Sequence, residues 1–103
     1  PLWLAPVQVV VATITEDTEN YAYKVKEALI KLGIRAEMDI RNEKIGYKVR
    51  EHSSKKVPII FVLGKHESSE NSVAIRRLGY QGNESMSMKD AITVIKNEAK
   101  PPV

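Results

Sequence analysis

The rhythm of hydrophobic positions changes repeatedly along the chain. VQVVVATI, residues 7–14, is a near-continuous β-branched run, the pattern of a strand buried on both faces. Thr15, Asp17 and Thr18 follow, small polar residues of the kind that cap helices. Ala22, Val25, Ala28, Leu29 and Leu32 then recur at helical spacing, and Gly33 stands where a helix C-cap is expected. In IRAEMDI, residues 34–40, Ile34, Ala36, Met38 and Ile40 alternate as in a strand. The stretch DIRNEKIGYKVRE, residues 39–51, predicts a second helix, with Ile45 and Val49 facing inward and Lys44 and Lys48 sharing an outer face. VPIIFVLG, residues 57–64, predicts another buried strand, with Pro58 tolerable only in its first residues. SVAIRRL, residues 72–78, is strand-like, and a loop with Gly79 and Gly82 follows. In the last helix Ser87 with Asp90 resembles a capping box, and Met88, Ala91, Ile92, Ile95 and Ala99 form one apolar stripe. PPV ends it, because a helix does not continue through two prolines.

Strand, helix, strand, helix, strand implies right-handed crossovers and a parallel core. The expected fold is a three-layer α/β domain with a mixed five-stranded sheet and three helices. With 103 residues the chain holds one domain, residues 1–103, without an interior linker. It begins at Pro1 without an initiator Met or signal pattern, and is read as a piece of a longer protein. The absence of cysteine removes disulfides, thiolate metal sites and a cysteine nucleophile, and fits a reducing cytoplasm. No apolar run approaches the ~20 residues of a membrane helix, so no membrane partner is expected. A net charge of +3 accommodates a polyanion without demanding one, so the placement of the charges has to decide.

Three catalytic readings fail on the residues. A phosphate-binding turn after the first strand needs glycines, whereas ITEDTENY has none and is acidic. His52 and His66 are the only histidines, and neither has a second His at helical spacing to share a metal. His52 is expected on the solvated or edge face of its helix. Asp39, near the end of the second strand, resembles a phospho-acceptor by position, but Arg41 follows closely and is expected to pair with it.

A binding reading fares better. Open parallel sheets bind ligands at the carboxyl ends of their strands, and here those ends carry Arg41, Asn42, Lys65, His66 and Glu67. Asn offers a donor and an acceptor on one amide, and a carboxylate can accept from the N1 and N2 hydrogens of guanine. Single-stranded RNA exposes that base edge. The same residues also have plainer readings. Asn42 can be a helix N-cap, Glu67 a loop carboxylate, and Lys44, Lys48 and Lys55 a solvated face.

WLAPVQVV at residues 3–10, GIRAEMDIRNEKIGYKVREH at 33–52, KVPIIFVLGKHE at 56–67 and VAIRR at 73–77 resemble the C-terminal anticodon-binding domain of threonyl-tRNA synthetase, a class II aminoacyl-tRNA synthetase, in order and over nearly the whole chain. The resemblance implies a module that reads the anticodon loop of threonine tRNA, chiefly the second and third letters, G and U. It implies Glu67 and Arg76 at the guanine, and Asn42 and Arg50 at the uracil and nearby backbone; Lys44 and Lys48, from their shared outer face, are phosphate-facing candidates or merely solvated. Catalytic residues, cofactor sites and metal sites are expected to be absent here, with ATP, magnesium and zinc belonging to the parent ligase. The other implied partner is the parent's catalytic core, through which family members dimerise, so the isolated domain is expected to be monomeric. The prolyl, histidyl and glycyl enzymes share the fold, and a free-standing α/β binding module without tRNA specificity is the rival of another class. The chain departs from the family pattern in RLGYQGNES, residues 77–85, where Leu78 and Tyr80 stand in place of basic or polar residues. Tyr80 there has two readings, stacking on a base or packing against the edge strand.

Overall fold

The computed structural model describes residues 2–80 and 82–101. Gln81, in the divergent loop, and the last two residues of the PPV end lie outside that description. Five strands, β1 (Val9–Thr13), β2 (Ala36–Asp39), β3 (Ile59–Leu63), β4 (Ser72–Arg77) and β5 (Glu84–Ser87), form one mixed sheet in the order β2-β1-β3-β4-β5. β1 pairs in parallel with β2 and β3, while β4 and β5 add antiparallel. Four α-helices accompany them: α1 (Glu19–Lys31), α2 (Ile45–Ser54), α3 (Lys65–Glu70) and α4 (Met88–Glu98).

The apolar runs dictate this layering. Every residue of β1 and β3 is buried, so both strands need cover on both faces. On one face Val9, Val11, Phe61, Leu63, Val73 and Ile75 pack with Val25 and Leu29 of α1 and Ala91 and Ile95 of α4. On the other, Val10, Ala12, Ile60, Val62 and Ala74 pack with Ile45 and Val49 of α2. The expected three-layer α/β fold with a mixed five-stranded sheet is the observed one, with three helices of ten residues or more and the short α3 in addition. Because α2 lies over β1 and β3, this face is less covered toward β5. Ser85 and Ser87, paired with Ala74 and Ser72 and therefore on the same face, are exposed.

Helix ends follow the local chemistry. Gly33, at φ +80°, closes α1 with Gly33 N donating to Ile30 O at 2.9 Å and Ile34 N to Leu29 O at 3.1 Å, a Schellman motif that buries Ile34 against Leu29. None of the expected N-terminal caps of α1 uses its side chain on the helix: the Thr18 hydroxyl donates to Thr15 O, and the Thr15 hydroxyl to the Asp17 carboxylate. Ser87 does cap α4, accepting from Asp90 N at 3.1 Å. α2 starts at Ile45 with Lys44 as an N-cap that makes no side-chain bond, so the N-cap reading of Asn42 does not hold. α3 has no signature in the hydrophobic pattern because KHESSE carries no apolar residue. It forms through Glu67, whose Oε1 accepts from Gly64 N at 2.7 Å, and it ends in the left-handed Asn71.

Candidate nucleic-acid interface

Beneath the carboxyl ends of β1 and β2 lies a buried polar cluster that fixes the start of α2. Lys48 is only 1% exposed, and its Nζ donates to Thr13 O at 2.8 Å, Thr13 Oγ1 at 3.3 Å and Asp39 O at 3.1 Å. Burial pushes its ammonium below the usual lysine range, with the nearby Asp39 charge partly offsetting that. The expectation of an outward, phosphate-facing Lys48 is therefore wrong. Its stem runs along the packing side of α2 and its ammonium donates to the buried Thr13 and Asp39 carbonyls at the ends of β1 and β2.

Asp39, 4% exposed, takes Arg41 Nε at 2.9 Å, Arg41 NH2 at 2.8 Å and His52 Nε2 at 2.7 Å. The expected Arg41–Asp39 pair is present, and Arg41 reaches on to Glu51 at 2.9 Å. His52 is not on a solvated face: its side chain is 14% exposed and ties α2 to β2. Burial alone would raise the Asp39 carboxyl, but the hydrogen bonds from Arg41 and His52 outweigh it and hold the group well below the usual carboxylate range. A depressed carboxylate adds stability that is complete above the unfolded value of 3.8 and fades as the pH falls through the folded value. Asp39→Asn is accordingly expected to cost about 2–4 kcal/mol at neutral pH, because it strips one partner from a buried ionic cluster. The gap from the parent chain should narrow as the pH is taken below 3.8, as urea denaturation across the acid range would show.

The arginines sort themselves by partner. Arg35 donates to the Trp3 and Ala5 carbonyls, Arg41 pairs with Asp39 and Glu51, and Arg77 holds Glu98 through two bonds of 2.8 Å. Arg50 and Arg76 make no ion pair or side-chain hydrogen bond among the described residues. These two line one cleft of about 450 Å³, together with Ile14, Ile45, Gly46, Val49, Val62 and Asn83. The strand's alternation separates Arg76 from its neighbour: Ala74 faces α2, so Arg76 does too, while Arg77 points to the α4 side.

The other predicted site residues fall around this cleft. Glu67 sits at its Ile14 end, since a Cβ on Gly64 would meet Ile14 Cδ1 at 3.0 Å and Glu67 Oε1 at 3.2 Å. Asn42 and Lys44 are exposed on the turn entering α2, two residues apart and just ahead of Gly46. Lys65 lies 3.7 Å from Asp17 with both side chains exposed, and His66 is exposed. Tyr80 does not pack away against the edge strand; it is 69% exposed. Sequence reasoning missed Ile14, 46% exposed at the end of β1, together with Gly46 and Asn83. A glycine inside a predicted helix was the one available signal. Among the described residues no three of His, Asp and Glu gather as a metal-ligand set, and no helix is long and apolar enough to cross a membrane.

An open mixed sheet with two unpaired arginines lining one cleft leaves cationic donors free for a ligand from outside the fold. The chain belongs to the anticodon binding domain family, whose profile matches residues 8–98. Among its relatives are the threonine–tRNA ligases of Caulobacter sp. (strain K31) and Agrobacterium fabrum (strain C58 / ATCC 33970). Each is 58% identical over 102 residues, which is 99% of this chain and 16% and 15% of theirs. The chain thus spans about a sixth of the length of the curated relatives it matches. Its backbone is similar to that of the RNA binding domain of threonyl-tRNA synthetase from Cryptosporidium parvum Iowa II, with a TM-score of 0.93 and 26% identity over 99% of this chain and 26% of that one. Prolyl-tRNA synthetase from the same genus and species shares the fold at a TM-score of 0.79 and 23% identity, over 96% of this chain and 23% of its own. The resemblance to threonyl-tRNA synthetase drawn from the sequence therefore holds.

Proposed function

We propose that this chain is the tRNA-reading module of a threonine–tRNA ligase, recognising the second and third anticodon letters of threonine tRNA, G and U. It would support ATP-dependent threonylation by the catalytic core of a cytoplasmic, homodimeric parent. Supporting this most directly is the pair Arg50 and Arg76, which alone among the arginines lack a protein partner among the described residues and which share one cleft. Glu67 accepts the guanine N1 and N2 hydrogens. Its bond from Gly64 N occupies one lone pair of Oε1 and leaves acceptor capacity on both oxygens. Arg76 serves the guanine's acceptors, while Asn42 and Arg50 serve the uracil and its backbone. Lys44, exposed at the mouth of α2, contributes charge to phosphates without reading bases.

Magnesium, zinc and ATP belong in this reading to the rest of the ligase. The decisive assay compares the domain's affinity for threonine anticodon stem-loops with and without the central guanine. Replacing that guanine is expected to cost about 1–3 kcal/mol, the scale of a good bidentate base contact. Equal affinity for both loops would end the base-reading account. Equal affinity for proline and threonine stem-loops would move the assignment elsewhere in the family.

A further inference from the structure

We infer that Gly46 determines specificity by omission: the missing side chain keeps open one wall of a slot that receives a single unstacked base of the bound loop. The inference rests on the anticodon-loop reading and names a residue and contact type that the reading does not contain. It starts from the five glycines of the chain. Gly33, Gly79 and Gly82 have φ near +80°, where a side chain is strained. Gly64 is hemmed in by Ile14 and Glu67, at 3.0 and 3.2 Å from where its Cβ would stand. Gly46 has neither reason. Its φ is not positive, and a Cβ there would meet nothing within 4 Å. It also sits in the first turn of α2, where glycine weakens the helix relative to alanine.

The open space beside Gly46 is the cleft that Arg50 and Arg76 border. Its volume, about 450 Å³, falls in the range of small-ligand clefts. Its apolar lining is Ile14, Ile45, Val49 and Val62, surfaces suited to the faces of a base. The two guanidiniums supply donors for its edge or its phosphate. A phosphate alone would leave that apolar lining without a partner, so a base is the occupant.

The test is a pair of variants, Gly46→Ala and Gly46→Leu, measured on loops carrying an abasic nucleotide at each anticodon position in turn. With no backbone or packing need for glycine, Gly46→Ala should raise Tm by about 2–6 °C. It should weaken the intact threonine stem-loop by about tenfold, the scale of one misplaced methyl in a shaped pocket, with Gly46→Leu worse. At one abasic position the penalty should vanish, because the clashing base is gone. Unchanged affinity for the intact loop overturns the inference. A fall in Tm for Gly46→Ala also overturns it, since the glycine would then serve the fold, and so does an equal penalty on all three abasic loops. The parent chain's own guanine preference, measured alongside, separates failure of this slot from failure of the anticodon reading.

Discussion

Lys48→Ala is expected to destabilise the domain by about 3–5 kcal/mol, through a cavity in the α2 layer and the loss of a buried donor. Lys48 bridges the end of β1 and the end of β2 by donating to both Thr13 O and Asp39 O, beside the direct bond from the Thr13 hydroxyl to Asp39 O. Without the ammonium, Thr13 O loses a buried charged donor at 2.8 Å. Against a typical total of about 5–15 kcal/mol, such a loss is a large share. Lys48→Met, which refills most of the volume but not the donor, should fall between the parent chain and Lys48→Ala. Urea denaturation of the three proteins would measure the series. Under conditions where the variants remain folded, the salt dependence of stem-loop binding should be unchanged, because a lysine that is 1% exposed releases no counterion from RNA. A flattened salt slope with unchanged stability would put Lys48 back on a phosphate.

The second large effect concerns base reading. Glu67→Gln should reduce discrimination of the central guanine by about 1–3 kcal/mol while barely altering stability. Glutamine keeps an acceptor for Gly64 N at the third position of α3, a role that Glu and Gln share. It also places an amide donor where both guanine hydrogens need acceptors. The adjacent arginines supply the matching control. Arg76→Met should lose guanine preference, whereas Arg77→Met, on the α4 side with Glu98, should leave it intact and disturb only an exposed pair worth about 0–1 kcal/mol. Equal effects of the two substitutions on RNA binding would contradict the placement of the site on the α2 face.

The fold was legible because its strongest constraints are local. Two-sided burial shows as the apolar runs of β1 and β3, the Schellman turn shows as Gly33, and the α4 stripe shows at helical spacing. β5 and α3 left little trace, being short and polar: ESMS and KHESSE carry one apolar residue between them. Lys48 was misplaced by letting its charge overrule its position. It lies three residues after Ile45 and one before Val49, on the inward side of α2. Asn42, Arg50, Glu67 and Arg76 stand as candidates because their motif is contiguous or carried by the resemblance. The cleft itself could not, since Ile14, Gly46, Val62, Arg76 and Asn83 meet only after β1, α2, β3 and the β4–β5 hairpin are assembled.

The most direct measurement of the central claim is an NMR footprint of a threonine anticodon stem-loop on the ¹⁵N-labelled domain. The account predicts shifts at the Gly46 and Gly64 amides and at the Arg50 and Arg76 Nε signals, with Arg77 Nε and the Lys56 amide unmoved. A footprint centred on Arg77, Tyr80 and Glu98 with Arg50 and Arg76 unperturbed would contradict it.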